Sequence, residues 1–461
     1  MSRRQLHLNV NILHSGFSPA AWRMEGSDPR ASFDINHYIK VAKIAEQGTF
    51  DAVFLADQAA ISDRIDFRPL TSLEPTIVLA LIAANTDRIG LIGTASTTYN
   101  EPYNIARRFA TLDHASGGRA GWNIVTSADL AQSRNFGLEK PVAHQSRYER
   151  AGEFTAVVKA LWDSFEEEAF VGDVATGRFV DTDRVHPIAH TGRHFSVHGP
   201  HNIPRPPQGH PVLVQAGGSD DGRDLAAAHA EAVFSASQSF DEALSYARDL
   251  RRRAVRYGRS DDAILVLAGL ATIIGSTEAE ARRRQEELQE LIPLEYSLAR
   301  LAGVLQVDQK RLDLEKPLPD DIALPADGGH TFFRATLSLA QRKGLTVRGL
   351  IRALNGGTGH RTIVGTPAAI ADDIETWFSA GAADGFNLMP DVLPHGLEVF
   401  IDEVVPILRR RGLFRREYTG RTLREHLGLS RPHNPYASAA PTPVLPLTPV
   451  LRNDEKERIV R

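Results

Sequence analysis

The chain has 461 residues, 53 Lys+Arg against 57 Asp+Glu for a net charge of −4, and no cysteine. A near-neutral balance with interspersed signs offers no footprint for nucleic acid or an anionic membrane. The lack of cysteine excludes disulfides, thiolate zinc sites, iron–sulfur clusters and cysteine nucleophiles. The first residues, MSRRQLHLNVNIL, have no uninterrupted apolar stretch before a small-residue cleavage site, so they do not read as a signal peptide. No window approaches about 18 consecutive apolar residues, and a cytoplasmic protein is expected.

In chain order, short apolar segments alternate with helical patterns. The strand-like segments are Leu6–Leu13, Asp51–Ala56, Ile89–Thr94, Ala120–Thr126, Val212–Ala216, Ala232–Ala236, Ile264–Ile274 and Gly385–Met389. Several are continuous apolar runs, which suits parallel strands covered on both faces. Between them, Phe154, Val157, Val158, Leu161, Trp162 and Phe165 recur at helical spacing, as do Leu244, Ala247, Leu250, Ala254 and Tyr257. Glu74-Pro75 and Glu101-Pro102 mark two helix starts. Eight strands with intervening helices predict an α/β fold, a TIM (β/α)8 barrel; a doubly wound open sheet is the competing architecture.

Two stretches exceed ordinary barrel connections. The first, about 167–210, is rich in Gly, Pro and His; the second, about 278–362, is largely helical. Both are expected as excursions over the ligand face of a domain spanning 1–429. The tail, 430–461, carries six prolines in 32 residues and is expected to be disordered.

The clearest chemical signal is PVLVQAGGSDDGRDLAAAHAEAVF. A buried strand ends at Ala216, and Gly217-Gly218-Ser219 turns into a helix whose first N–H groups are unpaired donors. That pattern suits a phosphate cradle, and it equally suits a serine that only caps a helix. Asp220 and Asp221 oppose an anion there, and Arg223 could offset them. Asp57 in FLAD and Thr94 in GLIGTAS stand at strand ends, where side chains of a barrel reach the ligand face. Asn123 lies within an apolar strand and needs a partner, either core backbone or a ligand edge. His144 and Tyr148, four apart at a helix start, share one face. His186, His190, His194 and His198 recur every four residues, but Pro187, Gly192, Gly199 and Pro200 break any helix that would align them, so no metal site is expected. No G-x-S-x-G elbow, Walker A loop or G-x-G-x-x-G is present.

The run LIGTASTTYNEPYNIARRFATLDHASGGRAGWNIVTS resembles the flavin-dependent monooxygenases of the nitrilotriacetate monooxygenase component A type, within the bacterial-luciferase-like superfamily. So do DINHYIKVAKIAEQGTFDAVFLAD, HQSRYERAGEF, GPHNIPRPPQGHPVLVQAGGSDDGR, IVGTPAAIADDIETWFSAGAADGFNLM and GLFRREYTGRTLREHLGL, in order from about His7 to Leu429. The resemblance implies a TIM barrel that binds FMN as FMNH2, supplied by a separate NAD(P)H-dependent flavin reductase. It implies insertion of one oxygen atom of O2 into a small organic substrate through a flavin C4a-(hydro)peroxide. Homodimers or homotetramers are expected by the same resemblance. The cofactor positions it implies are Asp57, Thr94, His144, Tyr148 and Ser219, with His14 facing the same cavity as a substrate-side or catalytic residue.

The family's QAGSS is QAGGS here, which removes one hydroxyl at Gly218. Its GPLN is GPHN, so His201 is expected to alter the pocket wall. His330, in DGGHTFF, has no counterpart and is a candidate for substrate choice. The alternatives are an oxidoreductase of the same superfamily using the deazaflavin F420, and a flavin-binding protein without turnover.

Overall fold

The computed structural model describes residues 4–61, 65–69, 73–324, 330–354 and 360–437, without the side chains of residues 330–331. Eight strands form the frame: β1 (His7–Asn11), β2 (Ala52–Leu55), β3 (Gly90–Ser96), β4 (Ala120–Val125), β5 (Val212–Gln215), β6 (Ala232–Ser235), β7 (Leu265–Ile274) and β8 (Gly385–Pro390). Each pairs in parallel with the next, and β8 closes the ring by pairing with both β7 and β1. The closed barrel excludes the open-sheet alternative. A further short strand, Arg361–Gly365, adds to the C-terminal half of β7.

The strands sort their side chains by alternation. Leu8, Val10, Val53, Leu55, Leu91, Phe386 and Leu388 are buried against the surrounding helices, whereas Ala52, Phe54, Ile92, Val212, Val214, Phe234 and Leu267 form a separate cluster inside the barrel. Each such Val or Leu contributes about 1.5–3 kcal/mol by leaving water. The flanking helices are α1 (Ile35–Gln47), α2 (Pro75–Ala83), α3 (Pro102–Ser116), α4 (His144–Asp163), α5 (Asp220–His229), α6 (Phe240–Arg256), α7 (Glu278–Glu290), α8 (Leu294–Leu305), α9 (His330–Lys343), α10 (Val347–Leu354) and α11 (Pro367–Ser379). Both α2 and α3 open on the proline expected, and Glu74 caps α2 by accepting from Ile77 N–H.

The floor of the barrel is closed by the C-terminal segment around the short helix Leu423–His426. Leu423 and Leu427 pack with the inner cluster. A Cβ at Gly90 would come within 2.4 Å of Leu423, so the glycine makes room for the plug. Beside it, Asp51 is wholly buried between Arg415 and His7, whose Nδ1 lies 3.0 Å from the carboxylate. Burial alone would raise the Asp51 carboxyl; Arg415 and His7 overcome this and hold it at about 2.

The second excursion has its own small core of Leu301, Leu305, Phe333, Leu339, Val347 and Leu350. It is tied to loops after four strands: Arg23 bonds the Leu291 carbonyl, Phe67 meets Tyr296, Arg342 bonds the Gln238 carbonyl and Arg284 pairs with Asp391. The first excursion does not cover the mouth. It forms two small ribbons, Phe170–Asp173 with Arg178–Val180 and His190–Thr191 with Ser196–Val197. Ile188, Phe195, Val197 and Ile203 lay it along the flank of α3 and α4, because those helices expose an apolar strip around Phe154 and Leu161. His201 sits on that flank against Tyr103 and bonds the Ile203 carbonyl, so it forms no part of the mouth.

The first part of the tail expected to be disordered, up to residue 437, is described and packs on the chain. Asn434 is buried and donates to the carbonyls of Asp163 and Phe165, and Tyr436 stacks on His186 at 4.2 Å. Residues 438–461 lie outside the described residues.

Because Asp51 titrates lower in the folded chain than the ordinary 3.8, its contribution is present above that value and is lost as pH falls towards 2. Asp51→Asn should cost roughly 3–5 kcal/mol near neutral pH. Denaturant unfolding as a function of pH should show the variant losing less stability than the parent on acidification from pH 4 to pH 2.

Candidate active site

All eight strands point their C-terminal ends at one rim, and the residues flagged in the sequence occupy it in two groups. The first is built where β5 hands over to α5. Ser219 has extended backbone and caps α5, its Oγ accepting from Gly222 N–H at 3.1 Å. Ser219 is therefore the cap of this helix. The same Oγ lies 3.4 Å from the Tyr148 hydroxyl on the first turns of α4. His144 and Tyr148 share a face as expected, their rings 4.8 Å apart. The N-cap of α4, Ala143, supplies no side-chain cap, so two helix N-termini converge on Ser219, His144 and Tyr148.

Close packing holds this turn. A Cβ at Gly217 would lie 2.5 Å from Gln215 Nε2 and 2.9 Å from Gly222 Cα, and Tyr246 donates to the Gly217 carbonyl at 2.7 Å. Of the two acids that oppose an anion here, one is directed away and the other faces His144 within the group. Asp220 pairs with Arg253 at 2.8 Å, and Asp221 lies 3.0 Å from His144 Nε2. Arg223 does not offset them as expected, because it turns to Asp249 at 3.0 Å and packs over the Tyr246 ring.

Thr94 and Asn123 are register partners on β3 and β4, and Asn123 Nδ2 donates to Thr94 Oγ1 at 2.9 Å. This answers the question of Asn123's partner for the donor only. Its Oδ1 is buried and has no partner among the described residues. Asp57 follows β2 at the same rim, open to solvent yet hemmed in by protein. Its carboxyl is raised by loss of water and then by Glu74, against the Gln58 N–H and Arg108.

The second group lies across the ring, where β1 ends. His14 is 6% exposed, with φ at 37°, and its Nδ1 has no partner among the described residues. The neighbouring Gly16 has φ at 139°, and a Cβ there would strike the Asp391 carbonyl at 2.3 Å. His37 Nε2–H donates to the His14 carbonyl at 2.8 Å, which fixes the His37 tautomer. Burial first, then Arg68, His37 and Arg300, push His14 down to about 3. The side chain of His330, which opens α9, lies outside the described residues.

Sequence reasoning missed an aromatic wall between the groups. His360 stacks on Phe234 at 5.0 Å, with Phe332 and Phe17 edge-on at 5.2 and 6.3 Å, and Phe54 meets Phe234 at 5.4 Å. Gly269 on β7 admits the His360 ring, since a Cβ there would lie 2.4 Å from its Nδ1. Burial lowers His360 to about 4.

Residues 15–384 match the model of the luciferase-like monooxygenase family. The chain belongs to that family. It is 44% identical to nitrilotriacetate monooxygenase component A of Aminobacter aminovorans, over 95% of this chain and 99% of the relative. Among solved structures it is similar to EDTA monooxygenase from Chelativorans sp. BNC1, with 38% identity, a TM-score of 0.77, and 93% and 99% of the two chains covered. It is also similar to riboflavin lyase with modified FMN and riboflavin, at 32% identity and a TM-score of 0.82 over 92% and 95% of the chains. As a family member it is a flavin-dependent monooxygenase. No helix among the described residues is long and apolar enough to cross a membrane.

A neutral His14 is the sharpest electrostatic consequence of this geometry. Its ring protons, followed by NMR between pH 8 and pH 5, should show no titration in the cofactor-free protein. A midpoint in that range would contradict the burial described.

Proposed function

We propose that the protein is the oxygenase of a two-component system, inserting one oxygen atom of O2 into a small organic substrate with FMNH2 from a separate NAD(P)H-dependent reductase. The single observation that carries the cofactor assignment is the convergence of two helix N-termini on Ser219, His144 and Tyr148. The fit is that of a dianionic phosphate: backbone donors, a hydroxyl pair, an imidazole, and a glycine-tight turn that lets backbone approach a ligand. Thr94, Asn123 and Asp57 continue from that cradle along the rim, and the orphaned Asn123 Oδ1 suits an N–H at the edge of a flavin ring.

Bound reduced FMN would supply the electrons that activate O2. The chain's own residues do the rest. Ser219, Tyr148 and His144 anchor the phosphate, with His144 exchanging its Asp221 contact for the incoming anion. The wall of Phe17, Phe54, Phe234, Phe332 and His360 keeps the reaction space dry, which matters because water diverts activated oxygen to hydrogen peroxide. The helical excursion, tied to loops after β1, β2, β6 and β8, covers that space. His14, held neutral, can accept or pass a proton at Nδ1. Dependence on NAD(P)H for the supply of electrons is consistent with a cytoplasmic location.

With FMN, NADH and any flavin reductase, substrate oxygenation should require O2; product formed under strict anaerobiosis would contradict the proposal. Ser219→Asp should weaken FMN binding about tenfold or more by charge repulsion, measured by fluorescence quenching. Unchanged affinity would mean that the phosphate lies elsewhere.

A further inference from the structure

The oxygenase reading leaves one charged group at the mouth without a task. Arg68 comes from the segment after β2 and Arg300 from α8, and both act on His14. The segments are joined by the Phe67–Tyr296 ring contact at 6.4 Å and by Trp22 Nε1, which donates to the Phe67 carbonyl at 3.3 Å. Tyr296 precedes Arg300 by one helical turn, so the two side chains share a face of α8. The Tyr296 hydroxyl is buried and stands against the Arg300 guanidinium. Arg300 Nε has no acceptor among the described residues.

Two guanidiniums have thus been brought towards one buried histidine, and no carboxylate among the described residues pairs with either. Of the carboxylates on this side, Asp28 and Asp34 act on His37. Both guanidiniums are partly shielded from water, and gathering like charges at such a place is unfavourable unless an anion joins them. The four side chains gathered here can all donate: two guanidiniums, a phenol and an imidazole.

We propose that Arg68, Arg300, Tyr296 and His14 form a receptor for one oxyanion of the substrate, a carboxylate or sulfonate, across the mouth from the phosphate cradle. β1 and β5 lie four strands apart in a ring of eight, so the two anion sites face each other across the barrel. A substrate gripped there by its charged end places its remaining atoms between His14 and the aromatic wall. Arg68, Arg300 and Tyr296 are therefore specificity-determining residues, selecting acids over neutral sulfides, sulfones or alkanes. The inference rests on the oxygenase reading for its biological meaning; the anion site itself is tested separately.

Malonate, methanesulfonate and the neutral dimethyl malonate are titrated calorimetrically into the FMN-loaded protein and into the protein without FMN. At least one of the two anions should bind saturably and dimethyl malonate should not. Arg68→Gln and Arg300→Gln should each weaken that binding about tenfold or more, the size of one charge-assisted hydrogen bond. Arg300→Lys should restore part of it, and FMN affinity should stay within about twofold in all three variants. Malonate binding without methanesulfonate binding assigns a carboxylate, and the reverse a sulfonate. Failure of both anions to bind, equal binding of dimethyl malonate, or unchanged anion binding in both glutamine variants overturns the proposal. Loss of FMN binding by the parent protein counts instead against the oxygenase reading, because the anion titration without FMN stands on its own.

Discussion

Closure of the barrel by β8 is the constraint on which the rest depends. Pairing β8 to both β7 and β1 forces eight parallel strands to end on one rim. Residues as distant in sequence as His14, Thr94 and Ser219 then share one mouth. The plug of Leu423 and Leu427, locked by the Arg415–Asp51 pair and the Arg424–Glu231 pair, fills the opposite end. The rim at the other end carries the polar groups described above.

The rim divides its electrostatic work between two sides. At β5, helix N-termini, hydroxyls and an imidazole converge, with Asp220 and Asp221 each directed to a partner. At β1, positive charge gathers around a histidine that burial keeps neutral. Between them stands an aromatic wall in which His360 serves as a ring among phenylalanines. A flavin held by its phosphate and a substrate held by its charge would meet over that wall.

Much of this was legible in the sequence because parallel strands buried on both faces read as uninterrupted apolar runs. All eight strands and the helices of the second excursion fall where those patterns place them. The Gly217-Gly218-Ser219 turn and the His144–Tyr148 face were legible for the same reason, being local. What depended on packing between distant segments was not. The strand Arg361–Gly365 is half polar and reads as part of a helical stretch. The first excursion follows an apolar strip on α3 and α4 that only the folded helices present. Arg223 turns to Asp249, a partner on another helix. Arg68 and Arg300 lie more than two hundred positions apart, and nothing in either local sequence signals that they meet at His14.

The central claim is that a mononucleotide is gripped by its phosphate where α4 and α5 begin. Equilibrium titration of FMN against riboflavin, which has the same ring and no phosphate, tests this most directly. The account predicts a Kd for FMN at least about a hundredfold below that for riboflavin, as expected from two or more charge-assisted hydrogen bonds. Riboflavin binding as tightly as FMN would contradict it.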